Sequence, residues 1–288
     1  MTQPGSRIAA SSHGESRLRM LRIVRRGDRH DPRDLTVSFR FEGEFASAFT
    51  DGHAEGLLPG EAIKNMVYAA GREHGAREVE TLGLALAREV LQRQPRITRV
   101  RVEISEQPWQ RLEVGGKAQT QTFLAGSGER RTAVVTSNGP QVSVVAGIQN
   151  LTIMRSAGFA PHRRDVTDDG SADGLPRLVV GELSARWTYT SGDVTFDPYR
   201  HGVRAALLET VAWHASRSVQ HALYAAADVI LSSYEEIADV TLAFHEFPYR
   251  PADLFASGAE NPDDLFVAID EPLGVVEVTV ERAPRPNV

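Results

Sequence analysis

Two short segments gather the side chains best suited to chemistry. Ile63-Lys64-Asn65-Met66-Val67-Tyr68 carries an ammonium and a carboxamide, with Gly60-Glu61 just before it. Ser216-Arg217-Ser218-Val219-Gln220-His221-Ala222-Leu223-Tyr224 carries a guanidinium, a second carboxamide and an imidazole. Cationic forks bind carbonyl oxygens and anions, and an amide side chain offers one acceptor beside one donor group. Taken singly, each residue is ordinary: Gln220 reads as a solvated helix position, Arg177 after Pro176 as an exposed strand end, and Phe159 as core. The chain has no cysteine, which excludes disulfides, thiol catalysis and Cys-ligated metals. Its nine histidines form no pair at ligand spacing, His214 and His221 being far apart on one helix, so no metal site is expected.

The elements that must position these groups belong to an ordinary globular chain. It has 288 residues, 41% hydrophobic and 24% charged, enough for one large domain or two of usual size. A formal net charge of -6 argues against a nucleic-acid partner, which needs a basic excess. The cluster Arg17, Arg19, Arg22, Arg25 and Arg26 reads as a solvated strand face. No apolar run is long enough for a membrane span, and the polar residues from Met1 to Gly14 lack the apolar core of a secretory signal. With Pro286-Asn287-Val288 at the end instead of a peroxisomal address, the expected location is cytoplasmic.

Periodicity places the elements. Residues 1–14 read as a disordered tail, Ser/Gly-rich as far as His13. Leu18 to Ile23 and then Leu35, Val37, Phe39 and Phe41 alternate as strands. Ile63, Val67 and Ala70 mark a helix that Gly71 closes, and Val79, Leu82, Leu86 and Val90 a second one, with Pro95 beyond its end. Strands return at Thr98 to Ile104, Val134-Val135 and Val142 to Val144. The second half repeats the order: strands at Leu151 to Met154 and Leu178 to Tyr189, helices around Val203 to Val211 and Val219 to Leu231, strands at Ile237 to Phe244 and Val276 to Val280. This is a weak internal repeat of strand–strand–helix–helix–strand–strand. The expected class is α+β, antiparallel sheets with helices on one face, in two domains over 15–145 and 146–288.

The two motifs, their order and the placement of Arg177 before Trp187 resemble the urate oxidase family over roughly residues 15–250. That resemblance implies tandem T-fold (tunnelling fold) domains that assemble as a homotetramer around a hollow β-barrel, with active sites at subunit interfaces. It implies no cofactor, a purine-type small molecule and molecular oxygen as partners, and no membrane or nucleic acid. Phe159 would stack on the ring, and Arg177 and Gln220 would grip its edge with the backbone of Val219. Ring stacking is worth about 1–3 kcal/mol per base on comparable platforms.

The residues that perform chemistry in that family are replaced. Glu15 stands for the relay Lys, Gly60-Glu61 for the catalytic Thr-Asp pair, Glu246 for the Asn and Pro248 for the His of the oxygen site. Gln119-Thr120-Gln121-Thr122-Phe123 stands for a His-rich stretch, and Lys64 is not the relay lysine. Gly60 has no hydroxyl, and Pro248 has neither a titratable group nor an N–H. Loss of general acid–base groups costs about 10²–10⁴-fold in rate, so ordinary urate oxidation is expected to be weak or absent. One reading is rebuilt catalysis, with Glu61 first and Glu15 second as general base, and His162 or His245 as substitute imidazoles. The other is a non-catalytic purine binder or structural relative. Other T-fold proteins grip the amidine edge of pterins with a Glu, a role that Glu61 or Glu246 would imitate.

Overall fold

The computed structural model describes residues 6–54, 56–75, 77–156, 178–254, 256, 258, 260–261, 264–270 and 274–283. The chain divides into two compact units. One comprises Met1–Gly126, Arg130–Gly147 and Thr188–Asp197; the other comprises Ser127–Glu129, Ile148–Trp187 and Pro198–Val288. In both, the fold is α+β, with antiparallel strand pairing and helices laid on the sheet.

The first unit opens with a short strand β1 (Ser12–His13), then β2 (Leu18–Arg26) and the long β3 (Arg29–Gly43). β2 and β3 form a hairpin on the two-residue turn Gly27-Asp28, where Gly27 takes φ 61°. That left-handed conformation matches the strand twist and suits glycine. The five-residue helix α1 (Ala46–Thr50) leads to α2 (Gly60–His74) and α3 (Val79–Arg93). Then come β4 (Ile97–Gln107), a hairpin of β5 (Trp109–Val114) and β6 (Lys117–Ala125), β7 (Arg130–Ser137), and β8 (Val142–Arg155), which runs on into the second unit. The sheet order is β1 and β2 on β3, then β4, β7 and β8.

Alternation makes this core. Leu35, Val37, Phe39 and Phe41 of β3 and Val100, Val102 and Ile104 of β4 point inward and are buried. Ile63 and Val67 of α2 and Leu82, Leu86 and Val90 of α3, which packs on β4, are fully buried too, each stabilising by about 1.5–3 kcal/mol. Gly83 lets α3 press onto β7, since a Cβ there would lie 2.7 Å from Val135 Cγ2. One inward β4 position is a carboxylate, Glu106, which is held by Arg33 at 2.5 Å.

The second unit contains β9 (Val179–Tyr189), helices α4 (Phe196–Trp213) and α5 (Val219–Ser233), and β10 (Ile237–Glu246). A small hairpin of β11 (Tyr249–Pro251) and β12 (Phe266–Ala268) and the last strand β13 (Val275–Glu281) complete it. Its order is β8, β9, β10, β13, with α5 packed on β10 and β13. Arg282 donates to the carbonyls of Leu231 and Tyr234 at 2.7 and 2.8 Å, satisfying the end of α5. Arg204 of α4 makes a two-point pair with Glu129 at 2.9 and 2.8 Å. Among the described residues, no helix is long and apolar enough to cross a membrane.

Two expectations differ from the structure, and one element was not expected. Ser12–His13 is a paired strand, not part of a disordered tail, because the His13 ring packs against Phe41 and Phe45 at 5.3 and 4.5 Å. Gly71 lies inside α2, which ends at Gly75; a Cβ at Gly71 would meet Met20 of β2, so this glycine serves packing. The β5–β6 hairpin, which the periodicity did not predict, turns at Gly115-Gly116, both at positive φ (58° and 72°).

Gly202 gives a test of close packing in the second unit. A Cβ there would collide with the Tyr234 phenol at the end of α5. Gly202→Val is expected to lower stability by about 1–3 kcal/mol, measured by urea unfolding, with the m-value unchanged.

Candidate functional site

The N-terminus of α2 sits in the first unit beside the segment that joins β1 to β2. His13 pairs with Phe41 of β3, and Leu18 pairs with Val37. Five steps on the N-terminal segment therefore match four on β3, which makes a bulge. Arg17 absorbs it at φ 60°, a left-handed conformation for a residue with a side chain, and its N–H donates to Ser38 Oγ at 3.1 Å. Within the bulge the Phe39 N–H donates to the Glu15 carbonyl at 2.7 Å, and Gly14 lies so close to the Phe39 carbonyl that no Cβ fits. Bulges of this kind re-aim a side chain, and here the side chain is Glu15.

Glu15 points at Gly60. A Cβ built on Gly60 would lie 3.2 Å from Glu15 Cδ and collide with Oε1. The half-buried carboxylate thus fills the space that a side chain at position 60 would take. Among the described residues it makes no hydrogen bond or ion pair. Glu61 is next to it in sequence but faces away from the core: its side chain is 79% exposed and meets Lys64 Nζ at 3.4 Å across one helix turn. An exposed pair of this type is worth about 0.3–0.5 kcal/mol.

His13 ties the bulge to the loop before α2, because its Nε2 accepts the Leu58 N–H at 3.3 Å. That bond leaves the proton on Nδ1, which is buried without a hydrogen-bond partner among the described residues. Burial lowers the His13 pKa below its usual value, so the ring is held neutral.

The second unit presents the other motif as a rigid turn. Ser218 caps α5, its Oγ accepting the His221 N–H at 3.1 Å, while His221 Nδ1 accepts the Arg217 N–H at 3.3 Å. His214 Nδ1 lies 2.7 Å from the buried Ser216 Oγ, and the His214 and His221 rings stand edge to face at 5.1 Å. This network holds Val219 and the exposed Gln220 in the first turn of α5, with the Gln220 amide unengaged among the described residues. Glu246 ends β10, its N–H donating to the Gly274 carbonyl at 2.8 Å, and His245 beside it is exposed. Phe159, His162 and Arg177 lie outside the described residues.

Sequence reasoning singled out Glu15, Gly60, Glu61 and Gln220 but not the supports around them. His13, the Arg17 bulge and the Ser218 cap were missed; only Ser218, a capping residue just before an apolar run, carried a local signal. Two clefts of the first unit, of about 370 and 400 Å³, are lined by other residues, one by Ile8 to Ser11 with Glu42 to Ala46 and one between α2 and α3. Among the described residues, no group of three or more His, Asp or Glu is placed to hold a metal.

Antiparallel sheet, paired helices and the repetition of that plan define a tandem T-fold. A family model described as Uricase matches residues 11–136 and 144–277, so the chain belongs to the uricase family. It is 28% identical to the uricase of Arthrobacter globiformis over 98% of this chain and 92% of that protein. It is 25% identical to the uricase of Danio rerio over 96% and 95% of the two chains. The crystal structure of the Arthrobacter globiformis uricase superposes with a TM-score of 0.88 at 27% identity, covering 98% of each chain. Urate oxidase from Bacillus sp. TB-90, at 14% identity and a TM-score of 0.79, shares the fold.

His13 sets a pH dependence whose sign follows from its lowered pKa. As pH falls through the unfolded value near 6.5, the unfolded chain gains a proton that the folded ring resists. The His13 contribution is therefore complete above that pH and lost below it. His13→Gln is expected to flatten the fall in Tm between about pH 7.5 and 5.5 relative to the parent chain, as followed by circular dichroism.

Proposed function

We propose that this protein binds a purine-type heterocycle and oxidises urate or a related purine or pteridine with molecular oxygen, without a cofactor, through altered catalytic residues. Family membership over both halves of the chain supports the reading. The observation that carries the alteration is the Glu15 carboxylate set over Gly60. Glu15 and Glu61 are proposed as the proton-handling groups, and Phe159, Arg177, Val219, Gln220 and Glu246 as the groups that hold the ring. The working form is proposed to be a homotetramer.

A second reading, a non-catalytic binder, draws support from one placement. Glu61 is at the surface in an ion pair with Lys64, which is a solvated position rather than one tuned for proton transfer.

A thermal-shift panel of purines, pteridines and pyrimidines, followed by oxygen-electrode assays on each hit, separates the two. Turnover of urate is expected to be weak, and a related ring is expected to consume oxygen faster. Glu61→Gln should abolish that consumption while ligand still raises Tm, and Gln220→Ala should weaken ring binding by about tenfold. Ligand-induced stabilisation with no oxygen uptake on any ring would establish the binder instead.

A further inference from the structure

We infer that Glu15 and Gly60 form one specificity-determining pair, which selects a heterocycle presenting two adjacent N–H donors, a ring N–H beside an exocyclic amino group, and disfavours the urate anion. The inference rests on the proposed ring-binding function and names the substrate class for it.

The first argument is spatial. The Glu15 carboxylate lies where a side chain on residue 60 would be, so any residue larger than glycine at 60 must turn the Glu15 side chain to a new direction. The bulge fixes this aim through backbone contacts: the Phe39 N–H on the Glu15 carbonyl, the Gly14 approach to Phe39, and the left-handed Arg17. None of these depends on the carboxylate itself. The group is presented by the backbone and does not serve to hold it.

The second argument is chemical. A carboxylate accepts and cannot donate, and its two oxygens match two parallel N–H donors. Glu15 has no cation or donor of its own among the described residues. The nearby ammonium of Lys64 is directed to Glu61 at 3.4 Å. A bound anion would therefore be repelled at this edge of the ring, whereas a ring with an amino group beside a ring N–H would satisfy both oxygens. Xanthine and guanine differ in this respect at one edge. Xanthine places a carbonyl where guanine places its amino group, and a misplaced acceptor against the half-buried carboxylate is disfavoured.

The test is equilibrium binding of urate, xanthine, guanine and 2,6-diaminopurine to the full chain, by calorimetry with thermal shift as a second readout. Guanine, with its ring N–H beside the 2-amino group, is expected to bind at least about tenfold tighter than xanthine, urate or 2,6-diaminopurine, whose N1 is an acceptor. Glu15→Gln, nearly isosteric, should keep the parent Tm without ligand and erase that preference. The double variant Glu15→Lys with Gly60→Thr, which exchanges charge and bulk together, should shift the preference to urate, while Gly60→Thr alone should lose binding of all four. Binding of xanthine or urate as tight as guanine, or a preference that survives Glu15→Gln, overturns this inference and leaves the proposed function standing. Binding of none of the four by the parent chain removes both.

Discussion

Strand β3 is the constraint on which the first unit depends. Its 15 residues pair with β2 from Arg29 to Val37, with β1 at Phe41 and Glu42, and with β4 from Asp34 to Gly43. Both edges are therefore occupied, and the inward row Leu35, Val37, Phe39 and Phe41 is buried. A slip of one residue would turn that row outward, so the register is fixed from both sides. The N-terminal segment has one residue too many for this register, and the excess is absorbed at Arg17. The direction of Glu15 is thus a consequence of how β3 packs, and the site inherits its rigidity from the core.

That dependence explains what could be read from the residues alone. The strong periods of β3, β4, α2 and α3 were legible because each has one buried face. The β5–β6 hairpin was not, since most of Lys117–Ala125 is exposed and its alternation has no apolar row. Ser12–His13 was opaque for a different reason: two polar residues become a strand only through aromatic contacts with Phe41 and Phe45, distant in sequence. At the candidate site, the identities at 15, 60 and 61 were visible, but not their relation. A glutamate and a glycine separated by much of the first unit are each commonplace, and only the fold brings the carboxylate onto the glycine. In sequence Glu61 ranked ahead of Glu15 as general base, yet Glu61 is a surface helix position in an ion pair and Glu15 is half-buried and aimed at Gly60.

The pair also bears on whether this unit has simply drifted from its relatives. The family pattern resembled by this chain has Lys and Thr at these two positions. Erosion of function would predict a small residue at each, or a void beside Gly60, since nothing would select a matching partner. Voids in packed regions cost about 20–30 cal/mol per Å³ and are filled where the chain can do so. Here the side chain of residue 15 occupies the space beside residue 60. Glu and Gly together are smaller than Lys and Thr, and the charge at residue 15 is inverted. Packing alone would accept Gln, Met or Lys at 15 just as well, so the carboxylate needs a reason beyond fit.

The turn before α5 points the same way from the second unit. A surface Gln at a helix start needs no support, yet Gln220 follows a cap by Ser218, a reciprocal bond from Arg217 to His221, and the His214–Ser216 contact beneath. Each bond removes freedom from the backbone that carries Gln220, and none engages its amide. Groups that bind ligands are held by neighbours that do not touch the ligand, because an unrestrained side chain loses entropy on every binding event. Glu15 and Gln220 share this arrangement, a free polar end on a backbone fixed by other residues.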